Sequence, residues 1–404
     1  MKNILKKNNF INLQIAFGFL FGLVLLPSLL KSIAIGVFGI LIITFSILKK
    51  NKFNIKLFFL NTSTYFAIIL TLLYSDSWEY GSYALQTMSS LFVFPFIFSF
   101  LSSNDVVIVF KKLKIYFWIY IIAISLFNVV PFLWYLITQD TLGEIIRHYP
   151  RVIIIDYGKY AIHPIYISMH TCIAILFSIY LFRETKLKLH KIVLSLLIIT
   201  LITFLLIYLR KGPVIALIVT LVVWSFFELK KHLKHNLLFI GTLVTLFIII
   251  PKTRNRFLEL TNIEAATSEN ASSTNIRYTI FNNSIDLIKG SPFIGFGIGD
   301  YNTELKKTFE KNAPFLLDKT YNSHNQFLSF ILIGGMGLLL LFLFFYYKNL
   351  RIALNQNNIL LVLILVFYGV MMFFENVLER ENGVIFIAFF INFFALKNYT
   401  NFEE

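Results

Sequence analysis

Twelve apolar runs of fourteen to twenty-three residues, separated by polar breaks, recur along the 404-residue chain. A bilayer core asks for about 20 mainly apolar residues per helix, and each run supplies most or all of that length. The runs are Phe10–Leu29, Ser32–Leu48, Leu57–Tyr74, Tyr83–Leu101, Ile115–Ile137, Ala161–Phe182, Ile192–Leu209, Pro213–Glu228, Leu237–Ile250, Asn325–Tyr347, Ile359–Phe374 and Gly383–Leu396. The first is too long, and too closely followed by the second, for a cleavable signal peptide, and is read as a retained span. Composition agrees: 57% of residues are hydrophobic, 17% aromatic and only 14% charged, whereas globular chains run at about 45–50% apolar and about 25% charged. A soluble enzyme is excluded, and the expected fold is an all-α polytopic membrane protein with about 12 transmembrane helices. A single cysteine, Cys172, leaves no intramolecular disulfide and no cysteine-based metal site.

The net charge of +15 could serve nucleic acid or orientation in a membrane, and its distribution decides between them. With the N-terminus placed in the cytoplasm, the inner connections hold twenty of the 36 Lys and Arg residues but five of the 21 Asp and Glu. The whole excess therefore falls on one face, which marks an orientation signal with both termini inside. The outer connections are unequal: Gln139–Tyr160 is about twenty residues and Pro251–His324 about seventy, and loops beyond about 12–15 residues are usually functional or disordered. Within the long loop, Asn275–Lys289 reads as an amphipathic helix with Ile276, Ile280, Ser284, Leu287 and Ile288 on one face, capped by Ser273 or Thr274 and ended by Gly290, Ser291 and Pro292.

Several familiar chemistries have no motif here. There is no Walker lysine loop, no HExxH, no cysteine pair and no Asp-x-Asp. Gly295-x-Gly297-x-Gly299 lacks a preceding strand and reads as a tight backbone turn in which glycine supplies positive φ. ATP and nucleotide-sugars lie on the cytoplasmic side, so an activated donor reaching the outer loops would be carried on lipid.

The residues that can do chemistry gather at the outer boundary. Arg210 and Lys211 interrupt two apolar runs (IYLRKGPVIALIV) with only Gly212 and Pro213 as a turn. Lys211 can snorkel to the surface, but a basic residue in a tight outer loop runs against the orientation bias, and a guanidinium fork suits phosphate oxygens. Arg277 stands in the first turn of the amphipathic helix, where a cation opposes the helix dipole unless it faces an anion; a solvated loop arginine is the alternative. His324 stands where the long loop re-enters the membrane (YNSHNQFL), ahead of Gly334-Gly335-x-Gly337. Polar residues leading into a span tend to line a cavity, and imidazole can exchange a proton near neutral pH. His163-Pro164-x-Tyr166 opens the sixth run as either a substrate contact or helix-start packing, and the deeper His170 reads as structural. The last outer connection (FFENVLERENGVIF) holds Glu375, Glu379, Arg380 and Glu381, acids that either pair locally with Arg380 or position the arginines or an acceptor.

Arg210, Arg277, the Ser291-Pro292-x-x-Gly295-x-Gly297-x-Gly299 stretch and Ser323-His324-Asn325-x-Phe327-Leu328, in this order across one long outer loop, resemble the O-antigen ligase and polymerase superfamily. The resemblance covers roughly residues 150–395 and includes His163-Pro164-x-Tyr166 and the Glu379-to-Gly383 ending. It implies a GT-C-like glycosyltransferase of the bacterial inner membrane, acting at the periplasmic face without metal or other cofactor. Such an enzyme moves a glycan from undecaprenyl pyrophosphate to lipid A–core oligosaccharide. By position, Arg210 and Arg277 would bind the pyrophosphate and His324 would be the catalytic base. Lys211, His163, Tyr166, Asn325, Arg151 and Glu379 are further substrate-binding candidates, of which Lys211 and Arg151 have no clear motif counterpart. The implied organisation is residues 1–150 as N-terminal and 151–250 as central transmembrane helices, 251–323 as a periplasmic loop with the amphipathic helix, and 324–404 as C-terminal transmembrane helices. A chain polymerase, with a second lipid-linked glycan as acceptor, is the sibling alternative. A lipid-linked-glycan transporter is the alternative of another class, disfavoured because the ionisable residues sit at the boundary rather than at the midplane. No nucleic acid is implied.

Overall fold

The computed structural model of the protein describes residues 13–138, 142–155, 157–227, 233–317 and 319–399. Every regular element among them is helical. Six helices are long and apolar enough to cross a bilayer: Ser28–Lys49, Ile55–Tyr74, Leu113–Thr138, Pro164–Glu184, Lys188–Tyr208 and Gln326–Asn355. Two bent pairs raise the count to eight if each is one span: Ser90–Phe98 with Ser103–Phe110, bent by 107°, and Leu237–Ile249 with Pro251–Leu258, bent by 93°. A multi-pass membrane protein is thereby established, but helix length supports six to eight spans rather than twelve. The difference is physical: the run at Tyr83–Leu101 breaks at Ser89 into two short helices. The runs near 213–228 and 359–374 form helices of 17 and 13 residues, only about 26 and 20 Å long at 1.5 Å per residue against a core of about 30 Å.

The chain divides into two compact units, each discontinuous in sequence: residues 1–53, 100–217 and 399–404, and residues 54–99 and 218–398. In the first, helix Pro164–Glu184 is buried on nearly every side. Its Ser168, Thr171 and Ser178 hydroxyls donate to carbonyls one turn back. Asn128 donates to Thr171 Oγ1 at 3.2 Å and accepts from the Tyr208 hydroxyl at 2.7 Å, joining three helices. His170 contacts the Tyr120 hydroxyl at 2.9 Å through Nδ1, in line with a structural role.

In the second unit, a buried amide chain joins three helices: Asn349 donates to Asn61 at 3.0 Å, and Asn61 donates to Asn392 at 2.7 Å. Such bonds hold helices together where lipid tails give no hydrophobic drive to association. The long loop before Gln326–Asn355 belongs to this unit, and its described residues are folded. It carries not one helix but three, Pro251–Leu258, Ser273–Gly290 and Tyr301–Asn312. Ile280, Leu305, Phe309, Ala313 and Leu316 form a core between the last two helices and the turn after them, with Ile276, Leu287 and Tyr321 packed against it. The helix start is capped by Ser272, which accepts from the Asn275 N–H, rather than by Ser273 or Thr274.

The glycine turn explains itself through its partner. Helix Gln326–Asn355 breaks at Gly334 and Gly335, the latter with φ of 67°, and the turn seals the break. Phe296 and Gly297 donate to the Leu332 and Ile333 carbonyls at 2.7 and 2.9 Å, while Met336 donates back to Pro292 O at 2.8 Å. Gly295 and Gly297 hold φ of 71° and 83°. A Cβ on Gly335 would lie 2.0 Å from the Phe293 carbonyl oxygen, whereas one on Gly36 meets nothing within 4 Å. Gly335→Ala should therefore cost about 2–4 kcal/mol through strain and overlap. Gly36→Ala, inside helix Ser28–Lys49, should be neutral or gain up to about 1 kcal/mol. Thermal unfolding midpoints of the two purified variants check the contrast, and equal midpoints would contradict it.

Candidate active site

The re-entry segment Ser323–Gln326 is built by interlocking with the connection before the last helix, residues 372–380. Gln326 N–H donates to Met372 O at 2.8 Å, and Gln326 Oε1 accepts from the Leu378 N–H at 2.9 Å. Buried Ser323 exchanges hydrogen bonds with Asn376 at 3.1–3.2 Å. Asn325 caps helix Gln326–Asn355, its Oδ1 accepting from the N–H groups of Phe327 and Leu328 at 3.0 and 3.1 Å. Between these fixed neighbours His324 is held at φ of 46°, a left-handed conformation that is uncommon outside glycine and recurs at functional sites. Its own N–H donates to Asn322 Oδ1 at 3.1 Å, and the Tyr321 ring meets the imidazole edge-on at 6.0 Å.

This backbone turn presents the imidazole to Glu375. His324 Nδ1 lies 3.3 Å from Glu375 Oε2, and Arg277 Nη2 lies 3.6 Å from that same oxygen. The Glu375 side chain is 8% exposed and those of Arg277 and His324 are 35% and 23% exposed, so the carboxylate lies beneath two groups that reach the surface. A buried carboxylate must be paired or hydrogen-bonded, and the three groups come together from the loop helix, the re-entry segment and the last connection. With Nδ1 donating to a carboxylate, the neutral imidazole carries its lone pair on Nε2, which has no hydrogen-bond partner among the described residues. The arrangement can orient a base and offers a guanidinium beside it.

Glu379 feels the charge of Arg380 but is held chiefly by neutral donors. Its Oε2 accepts from the Tyr301 hydroxyl at 2.6 Å, and its Oε1 accepts from Asn376 at 3.0 Å, Gln326 at 3.3 Å and the Ser329 hydroxyl. Burial among these groups pushes its carboxyl above the ordinary glutamate range, with the hydrogen bonds from Ser329, Tyr301 and Asn376 opposing the shift. Burial beside Glu379 likewise raises the Tyr301 hydroxyl. Glu379 thus ties the loop helix Tyr301–Asn312 to the re-entry helix and acts as a positioning residue.

The remaining candidates lie in the first unit. Helix Lys188–Tyr208 ends in Leu209 at φ of 52°. The part-buried Arg210 follows this turn, and Lys211 starts the next helix. His163 is exposed and caps helix Pro164–Glu184, accepting from the Ile165 N–H at 3.4 Å. Tyr166 is buried with its ring edge-on to His163 at 6.4 Å. Arg151 is exposed on helix Leu142–Ile155. Among the described residues no group of three or more His, Cys, Asp or Glu is placed to hold a metal ion.

The role of Glu375 as the shared anion is the piece that composition and spacing do not single out. Its signal was an acid at the very end of an apolar run, where an unpaired charge would be costly.

Because Glu379 binds a proton more tightly when folded than when unfolded, its contribution to stability weakens as pH rises above the ordinary glutamate value and stops changing once pH passes the raised one. Glu379→Gln should flatten that part of the curve of unfolding midpoint against pH, measured from about pH 4 upward. A curve parallel to wild type would contradict the assignment.

Residues 196–345 match the family model described as O-Antigen ligase, a stretch that contains Arg210, Arg277, the glycine turn and His324 but stops short of Glu375 and Glu379. No curated protein matches the chain significantly.

Proposed function

From the premise that residues 196–345 place this multi-pass membrane protein with the O-antigen ligase superfamily, we propose that it is a glycosyltransferase that ligates a lipid-linked glycan to lipid A–core oligosaccharide. The observation that carries the proposal is the single Glu375 oxygen shared by Arg277 and His324. It puts a phosphate-binding cation and an oriented base within one carboxylate's reach. In this scheme the protein lies in the bacterial inner membrane in a GT-C-like arrangement of up to twelve spans, with both termini cytoplasmic and the site periplasmic.

The donor is a glycan on undecaprenyl pyrophosphate. Arg277 binds the pyrophosphate, and Arg210 is assigned the same role by its place in the family's pattern. As the bond from the anomeric carbon to the phosphate oxygen breaks, its electron pair passes to the pyrophosphate. Fixed guanidinium groups at the site of developing charge, shielded from bulk water, stabilise that transition state. The acceptor hydroxyl gives its proton to His324 Nε2 while its oxygen forms the new bond to the anomeric carbon. Glu375 keeps Nδ1 protonated and stabilises the imidazolium that results. Attack opposite the leaving group inverts the anomeric centre. Tyr166, His163, Lys211, Arg151 and the rim around Asn325 are left as glycan or acceptor contacts.

Reconstitution with undecaprenyl-pyrophosphate glycan and separate acceptors tests the scheme. Wild type should yield glycan on lipid A–core. Lengthened polyprenyl glycan would identify a polymerase, and intact donor on both sides of the vesicle would point to transport. Arg210→Ala and Arg277→Ala should each lower transfer by about a hundredfold or more, and His324→Ala by about 10²–10⁴-fold, with membrane insertion unchanged. Normal transfer by a well-expressed His324→Ala protein would remove the base from the scheme.

A further inference from the structure

We infer that the Pro292–Phe296 turn is a membrane anchor: Phe293 and Ile294 project into the acyl chains of the bilayer at the side of the broken helix. Phe293 is 79% exposed and Ile294 62% exposed, the barest large apolar side chains among the described residues of this loop, where Leu258, Tyr278 and Phe281 are also exposed. Their surroundings say what covers them. The Tyr74 hydroxyl donates to Ile294 O at 2.7 Å and to Ile333 O at 3.2 Å, which fixes the turn against the end of span Ile55–Tyr74. Exposed Leu70, Leu73 and Tyr74 stand there at i, i+3 and i+4. On the other side, Met336 donates to Pro292 O and heads a stripe of exposed Met336, Leu340, Leu343 and Phe344 down helix Gln326–Asn355. Spacings of three and four residues put each set on one helical face, so the bare side chains of the turn lie beside two apolar stripes on spans long enough to cross a bilayer.

The backbone of the turn fits that location. Irregular backbone at membrane depth is tolerated only where its polar groups are satisfied by protein, and the N–H groups from Gly295 to Gly299 are. Gly295 N–H donates to Ser291 O, and Phe296 and Gly297 donate to the carbonyls freed by the helix break. Ile298 N–H donates to Thr71 Oγ1, Gly299 N–H donates to Ser75 Oγ, and the Ser291 hydroxyl donates to Gly295 O. Exposed Trp78, Tyr80 and Tyr83 on the neighbouring helix Trp78–Met88 supply the amphipathic rings that favour a membrane–water boundary. The turn carries no charged residue between Ser291 and Gly299, which suits acyl chains and not a headgroup.

The test is a nitroxide at Ile294→Cys in a Cys172→Ala background, in phospholipid vesicles, with accessibility read by relaxation from oxygen, which favours lipid, and from a nickel chelate, which stays in water. Leu340→Cys and Ser268→Cys serve as the lipid and water references. The expected result is oxygen accessibility near that of the Leu340 label, with nickel accessibility at least several-fold below that of the Ser268 label. High nickel accessibility would place the turn in water, and low accessibility to both would mean it is covered by protein, such as a second copy; either overturns the anchor. A label at Phe293→Cys provides the same readout should the Ile294 variant fail to fold. The outcome is independent of the transferase scheme, since neither label touches Arg277, Glu375 or His324.

Discussion

A buried carboxylate with two claimants organises the second unit of this protein. Glu375 lies almost out of solvent at the end of an apolar helix, where an isolated negative charge would be prohibitively costly. Arg277 from the loop and His324 from the re-entry segment answer that cost. A loop of about seventy residues is thereby tied electrostatically to the ends of the helices. In the proposed scheme the same contact selects the imidazole tautomer, so the anion that pairs with the loop would also prepare the base.

Around that contact, the fold supplies rigidity at each point where a side chain must be aimed. His324 holds a left-handed backbone conformation between Ser323 and Gln326, which bond to the last connection, and Asn322 and Asn325, which bond to nearby backbone N–H groups. Glu379 gathers Tyr301, Ser329, Asn376 and Gln326 and so joins the loop to the re-entry helix a few residues from the imidazole. The glycine turn performs the equivalent task on the backbone, repairing the carbonyls freed at Gly334–Gly335. Loop, re-entry and last connection are thus cross-linked by hydrogen bonds, which is what a site built on three segments requires.

Much of this was legible in the residues. The amphipathic helix near Asn275–Lys289 follows from apolar residues at helical spacing, and it appears at Ser273–Gly290. The turn at Gly295 and Gly297 follows from the lack of a strand before it. Helix Tyr301–Asn312 escaped notice because its apolar face is only Tyr301, Leu305 and Phe309, which looks polar until its partners on the preceding helix are known. Six to eight spans are long enough among the described residues where twelve apolar runs are read, because hydropathy averages over breaks: Ser89 and the bend after Phe98 interrupt apolar sequence without changing its mean. Glu375 and Glu379 are indistinguishable in sequence, two acids four residues apart. Only tertiary packing gives one a cation and an imidazole and the other four neutral donors.

The central claim is that Glu375 holds His324 as the Nδ1–H tautomer with Nε2 free to accept a proton. Nitrogen-15 spectra of histidine-labelled protein in lipid nanodiscs at neutral pH, with the His324 signals identified by their loss in His324→Gln, read that state directly. The account predicts a protonated Nδ1 and a bare Nε2, with the preference lost in Glu375→Gln. A proton resident on Nε2, or a tautomer indifferent to the Glu375 change, would contradict it.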